Sequence, residues 1–351
     1  MLWHEHLRRS LKLLLISGLQ YSGLLDRRRR EAMRDHALIL MYHRVTPKGV
    51  GVPDYSPNGM SVRPDEFRMH MKFLKQHYNV VPLSRIAAAV RGEQSFLSTM
   101  CAVTFDDGWR DVYQYAFPIM KEQSIPTTIY LATGFIDGLP WFWEERAKYL
   151  LALLNKRARI ASFETSFRTA TSADLSRFGL ERILTLKPSH LPGFLLEKGR
   201  KMKQWETSRK TAMMDMLESV NRDLLLDTDR PFMNWDEVRE MAQAGITFEN
   251  HTVSHEILSE LTPSEAERTI QSAATRISQV LGHTPTHVAY PYGKYDERIR
   301  SQMRHLGASS ATTTRSGLVG HTSDPYALNR VNICSEIAGP KPLFSFLILG
   351  S

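Results

Sequence analysis

The 351-residue chain predicts an α/β fold, and three observations point to it. Short apolar, β-branched runs recur along the sequence, as buried strands do. Stretches with helical spacing of apolar residues lie between them, and strands alternating with helices imply parallel pairing. The alternation is interrupted once, from Trp141 to about Pro231, by a stretch rich in Leu, Lys and Arg that offers no strand. The order fits one barrel-like domain over 37–335, a mainly helical insertion over 141–230, a basic N-terminal helix over 1–36 and a C-terminal tail over 336–351.

The elements follow in sequence. Residues 37–45 form a strand that ends on polar side chains, followed by a Gly- and Pro-rich loop over 47–59. Arg63-Pro64-Asp65-Glu66-Phe67 starts a helix whose apolar face carries Phe67, Met71 and Leu74. A strand at 78–83 and a helix at 84–91 precede the run Cys101-Ala102-Val103-Thr104-Phe105. A helix around 113–123 and a strand at 127–132 complete the first half. After the insertion come a helix at 235–244, a strand at 246–249, a helix at 263–282, a strand at 287–290, a helix at 297–306 and a strand at 308–312. There is no internal repeat and no low-complexity tract.

Composition excludes several classes. Two cysteines, Cys101 and Cys334, give neither a disulfide framework nor a thiolate metal cluster, and both sit among apolar residues as small hydrophobes. The net charge of +8 is unevenly spread: residues 1–35 carry eight basic side chains against four acidic ones, half of the excess. That distribution argues against nucleic acid as a partner, which would need a basic stripe across the folded body. Leu7, Leu11, Leu14 and Leu15 lie on one side of a helix and Arg8, Arg9 and Lys12 largely on the other, a pattern for peripheral contact with an anionic membrane surface through residues 1–35. A solvated helix packed on the body and an atypical export signal are the other readings of the segment. Its apolar run is too short to span a bilayer, which takes about 20 residues. The expected location is cytoplasmic or peripheral to the inner membrane, with export left open.

The chemistry is concentrated in two short motifs. Thr104-Phe105-Asp106-Asp107-Gly108 sets two carboxylates at the carboxyl end of a buried strand, where ligands bind in α/β folds. His251-Thr252-Val253-Ser254-His255 sets two imidazoles four residues apart. One carboxylate and two imidazoles hold a divalent cation while leaving positions open for water and substrate, the requirement for hydrolysis. Zinc is the default ion for such a set, and nickel or cobalt accept the same ligands. The second carboxylate is then free to act as a base. Consecutive strand residues point to opposite faces, so Asp106 and Asp107 share a site only if the strand ends there, which Gly108 permits.

Both motifs resemble those of the polysaccharide deacetylase family, the carbohydrate esterases with a NodB homology domain. Ala289-Tyr290-Pro291-Tyr292-Gly293 is similar to that family's third motif. The resemblance covers roughly residues 37–335 and implies a distorted (β/α) barrel of about seven strands. It also implies metal-dependent removal of acetyl groups from amino sugars of an envelope or extracellular glycan. Carried over by position, Asp106 is the catalytic base, Asp107, His251 and His255 bind the metal, and Tyr292, with Pro291, helps hold the oxyanion. Two departures stand out. Ala289 occupies the place of an Arg that steers the base, and Arg330 either supplies that charge or makes a structural ion pair. The usual C-terminal Leu-x-His is absent, whereas Met41-Tyr42-His43-Arg44-Val45 resembles members related to the poly-N-acetylglucosamine deacetylases, in which the strand order is permuted. His43 would then be the general acid.

Other residues carry open readings. Trp109 and Arg110 line a sugar site or, for Trp109, fill the core. Phe135, Trp141, Phe142 and Trp143 form a glycan platform or the seam with the insertion. His283, His287, His305 and His321 read as structural, and Glu249 and Asn250 stand unassigned beside the site. Alternative functions keep the same residues: hydrolysis of an O-acetyl ester, a lipid-linked sugar or a non-carbohydrate amide, or a glycan-binding scaffold without chemistry.

Overall fold

A computed structural model describes Arg27, Glu31 and residues 33–47, 60–139, 143–159, 165–203, 205–221, 230–339 and 341–348. Most of the basic N-terminal segment, the loop over 48–59, and Trp141 and Phe142 lie outside these residues. Among the described residues no helix is long and apolar enough to cross a membrane. The chain divides into two compact units, one of residues 1–46, 58–139 and 231–351 and one of residues 47–57 and 140–230.

The first unit is built on seven strands: β1 His36–Tyr42, β2 Met100–Phe105, β3 Thr127–Leu131, β4 Thr247–Asn250, β5 His287–Ala289, β6 Ser310–Thr312 and β7 Val331–Asn332. Each neighbouring pair from β1 to β6 is parallel. The ring closes through one short stretch: Leu328 makes a parallel bridge to Thr312 of β6, and β7 pairs in parallel with β1. The distortion of the barrel sits at that single bridge. Strands β2 and β3 are buried along their whole length and β1 from Ala37 onward. This is why they read as unbroken apolar runs rather than alternating ones.

Helices cover the outside. Phe67, Met71 and Leu74 of Pro64–His77 are fully buried, as their spacing predicts. Pro263–Leu281 starts with Pro at its first turn and a reciprocal cap between Thr262 and Glu265, and it ends at Gly282 in the left-handed conformation. The sequence reading differs from the fold in three places. The strand at 78–83 shrinks to Asn79–Val80 because Pro82 lacks an N–H for a ladder and precedes a helix at Leu83–Val90. The helix around 113–123 is a π-turn at Val112–Ala116 followed by an α-helix at Phe117–Gln123. The C-terminal segment holds two short helices, Ser335–Ala338 and Lys341–Leu347, and Phe344 of the second is buried and stacked 4.0 Å from the His70 ring.

The second unit is helical, as its composition predicts. Helices Trp143–Arg157, Thr165–Ser176, Leu191–Lys203 and Thr207–Asn221 surround a core that includes Leu151, Leu154, Ile183, Leu195, Met213 and Leu217.

Candidate active site

Sheet register assembles the site. β1 and β2 pair without a slip from Ala37–Met100 to Tyr42–Phe105, and the Asp106 N–H continues the ladder onto the Tyr42 carbonyl at 3.0 Å. His43 and Asp106, the next residues on each strand, therefore emerge side by side, with His43 Nε2 3.9 Å from Asp106 Oδ2. The same device operates across the barrel: Leu131 pairs with Asn250, and the His251 N–H bonds to the Leu131 carbonyl at 3.0 Å.

Past the strand ends the backbone turns sharply. Asp107 and Gly108 have φ of +75° and +89°, so the strand stops there and both carboxylates face one site. A Cβ on Gly108 would lie 2.9 Å from side-chain carbons of both Leu131 and Ile136, and only glycine fits. The histidine pair is on no helix. Thr252 and His255 have φ of +66° and +57°, and the loop is pinned where the Gly134 N–H bonds to the Val253 carbonyl at 2.7 Å. With Tyr292, four of the six non-glycine residues with positive φ among the described residues belong to this site, strain of the kind that functional sites retain.

Asp107, His251 and His255 form a metal-type cluster whose ligand atoms all lie within 4.8 Å of one another. Nε2 of each imidazole is 3.5 Å from Asp107 Oδ1, a buried oxygen that has no hydrogen-bond partner. His251 Nδ1 is 2.8 Å from the Ala289 carbonyl, an arrangement that places the proton on Nδ1 and leaves Nε2 as a ligand. An orphaned carboxylate oxygen facing two imidazole nitrogens suits a divalent cation. Burial would raise the Asp107 carboxyl, but the imidazoles of His251, His255 and His43 beside it hold it well below the ordinary range. His255 is pushed down to about 4, first by burial and then by the charge of His251, so it stays neutral as a ligand must. Burial alone would lower His251; the adjoining carboxylates of Asp107 and Asp106 raise it instead.

Arg330 is the cation that meets Asp106. It is fully buried and grips Asp106 with two parallel bonds, Nη1 to Oδ1 and Nη2 to Oδ2, each 2.7 Å. Its Nε bonds to the Thr313 carbonyl at 2.9 Å and Nη1 also reaches Thr104 Oγ1 at 3.2 Å. Burial would raise Asp106, but the Arg330 charge and hydrogen bonds hold its carboxyl below the ordinary range. The charge missing at position 289 is supplied from the stretch that closes the barrel. Arg330, wholly buried against Asp106, has no exposed surface to offer a substrate.

Trp109 also departs from a sugar-lining place. It is 3% exposed, stacks on Phe232 at 4.4 Å and lies under the Arg44 guanidinium, leaving no open face for a glycan. Its indole N–H donates to Asp107 Oδ2 at 2.8 Å. Tyr292 is exposed at the rim, with its ring centre 4.7 Å from that of His255, and Pro291 is buried. Arg110 pairs with Glu237 at 2.9 Å. Glu249 takes the N–H groups of Thr286 and His287, and Asn250 bonds the Ile270 carbonyl and the Thr252 N–H; both brace the loop. His283, His287, His305 and His321 contact backbone carbonyls, a serine or a ring rather than the cluster. Sequence reasoning missed Thr104, Thr313, Arg44 and Asp111 as supports. Thr104 had a readable signal, the lone hydroxyl in an apolar strand.

A parallel barrel with a carboxylate–imidazole cluster at the carboxyl ends of its strands is the arrangement of a hydrolase, with residues that could hold a metal ion. The chain belongs to the polysaccharide deacetylase family, whose model matches residues 94–158 and 202–311 and passes over part of the helical unit. A Bacillus subtilis (strain 168) protein named as a polysaccharide deacetylase, YxkH, is 21% identical over 86% of this chain and 72% of its own. The poly-beta-1,6-N-acetyl-D-glucosamine N-deacetylase of Staphylococcus epidermidis is 24% identical over 66% of this chain and 78% of its own. Among solved structures, the Streptococcus pyogenes deacetylase PplD in complex with acetate shares the fold, with a TM-score of 0.56 at 18% identity over 89% of this chain and 96% of that one.

Proposed function

We propose that the protein removes N-acetyl groups from amino sugars of an envelope or extracellular polysaccharide or its precursor, using a divalent ion, zinc by preference, held by Asp107, His251 and His255. The observation that carries this reading is the placing of Asp106, clamped by Arg330 and 3.9 Å from His43, beside the Asp–His–His cluster. When bound, the ion would polarise the acetyl carbonyl and make water acidic. Asp106 takes the proton of the water that attacks the carbonyl carbon. His43 delivers a proton to the amine nitrogen as the carbon–nitrogen bond breaks, so acetate and a free amino sugar leave. The rim at Tyr292 lies beside His255, and its backbone N–H would help hold the developing oxyanion.

The test is acetate release from β-1,6-linked N-acetylglucosamine oligomers by chelator-treated protein with zinc, nickel or cobalt added back. Acetate is expected only with metal, and His43→Ala should lower turnover about 100-fold or more while keeping the ion. Metal-independent release, release only from O-acetylated glycans, or a fully active His43→Ala would refute the reading.

A further inference from the structure

The two oxygens of Asp107 are treated differently. Oδ1 faces both imidazoles at 3.5 Å and has no hydrogen-bond partner, whereas Oδ2 accepts the Trp109 indole N–H at 2.8 Å. The indole is fixed in turn. It stacks on Phe232 at an interplanar angle of 24°, and Arg44 lies 4.4 Å from its ring centre. Arg44 is itself held by Asp111, whose Oδ2 takes Arg44 Nε at 2.7 Å and whose Oδ1 takes the Val45 N–H at 3.0 Å. The main chain adds a bridge between Trp109 and Phe232 and a bond from the Met233 N–H to the Gly108 carbonyl at 3.0 Å. So much buried support for one N–H exceeds what filling space requires.

We infer that Trp109 is a positioning residue that makes Asp107 a one-oxygen ligand: its N–H occupies Oδ2 and so presents Oδ1 alone to the ion. The inference rests on the metal reading of Asp107, His251 and His255. A carboxylate free to rotate would bring both oxygens to the cation and fill a coordination position that water and the acetyl oxygen need. Trp109 therefore keeps the coordination number low without touching ion or substrate, as outer-shell partners do for ligating groups.

Trp109→Phe retains the stacked ring and deletes only the N–H. In protein stripped of metal and reloaded with cobalt(II), X-ray absorption and the visible spectrum report coordination number directly. The wild type is expected to show the intense bands of a low-coordinate ion. Trp109→Phe should show a higher coordination number, weaker bands and a kcat lowered about 10- to 100-fold with KM little changed. Phe232→Leu, which loosens the packing and keeps the N–H, should retain the wild-type spectrum. A wild-type spectrum in Trp109→Phe, or the same change in Phe232→Leu, overturns the inference while leaving the metal site intact. Failure of the wild type to take up cobalt overturns the metal reading instead. Should Trp109→Phe not fold, nitrogen-15 spectra of the six indole N–H groups in wild type decide. One resonance must move between metal-free and zinc-loaded protein, and six unmoved resonances sink the inference.

Discussion

Burying a guanidinium completely is costly unless every donor is met, and Arg330 is met by Asp106, Thr104 and Thr313. The planar fork does more than neutralise Asp106, because two parallel bonds fix the carboxylate plane as well as its charge. Lysine would keep the charge and lose the plane. Arg330→Lys is expected to lower kcat about 10- to 100-fold, with metal content retained and KM little changed, a comparison made by steady-state kinetics alongside metal analysis. An Arg330→Lys enzyme with wild-type kcat would show that charge alone suffices. Removing the charge altogether strands a buried carboxylate, a loss on the order of 3–5 kcal/mol.

The strands and loops explain which parts of the site were readable beforehand. Asp106, Asp107 and His43 announced themselves because each ends an apolar run, and parallel registry converts strand ends into neighbours. The link between Arg330 and Asp106 was not legible as more than one of two alternatives, since it depends on how a stretch with two strand residues closes a barrel. Trp109 stayed open between a sugar-lining and a core place for a related reason: an aromatic beside such a loop looks the same in sequence whether its face is open or covered. The C-terminal segment gave no signal either, because Phe344 finds its place only against a distant helix. There, His70 stacks on Phe344, lies 3.2 Å from the Tyr42 hydroxyl and bonds the Ala338 carbonyl at 2.8 Å. Burial pushes His70 down to about 4, which the bond to Ala338 only partly offsets. A depressed pKa means the folded state prefers the neutral ring, so this contribution is full above about 6.5 and fades as pH falls toward 4. Urea unfolding across that window should show a loss that is smaller in His70→Gln than in the wild type by on the order of 3 kcal/mol. Equal slopes in both proteins would remove His70 from the account.

The molecule as a whole combines a barrel that fixes chemistry with a helical unit that has its own core. The alternation of elements made both legible, since β periodicity vanishes for some ninety residues and then resumes. What alternation does not encode is distance, and the barrel matters only because it carries Asp107, His251 and His255 from remote parts of the chain to within 4.8 Å. That convergence is the central claim, and anomalous diffraction at the zinc edge from zinc-loaded crystals tests it most directly. The expected map has its strongest peak about 2 Å from Asp107 Oδ1, His251 Nε2 and His255 Nε2, beside the Asp106–Arg330 pair. A map with no peak there, or with zinc bound only elsewhere, would contradict it.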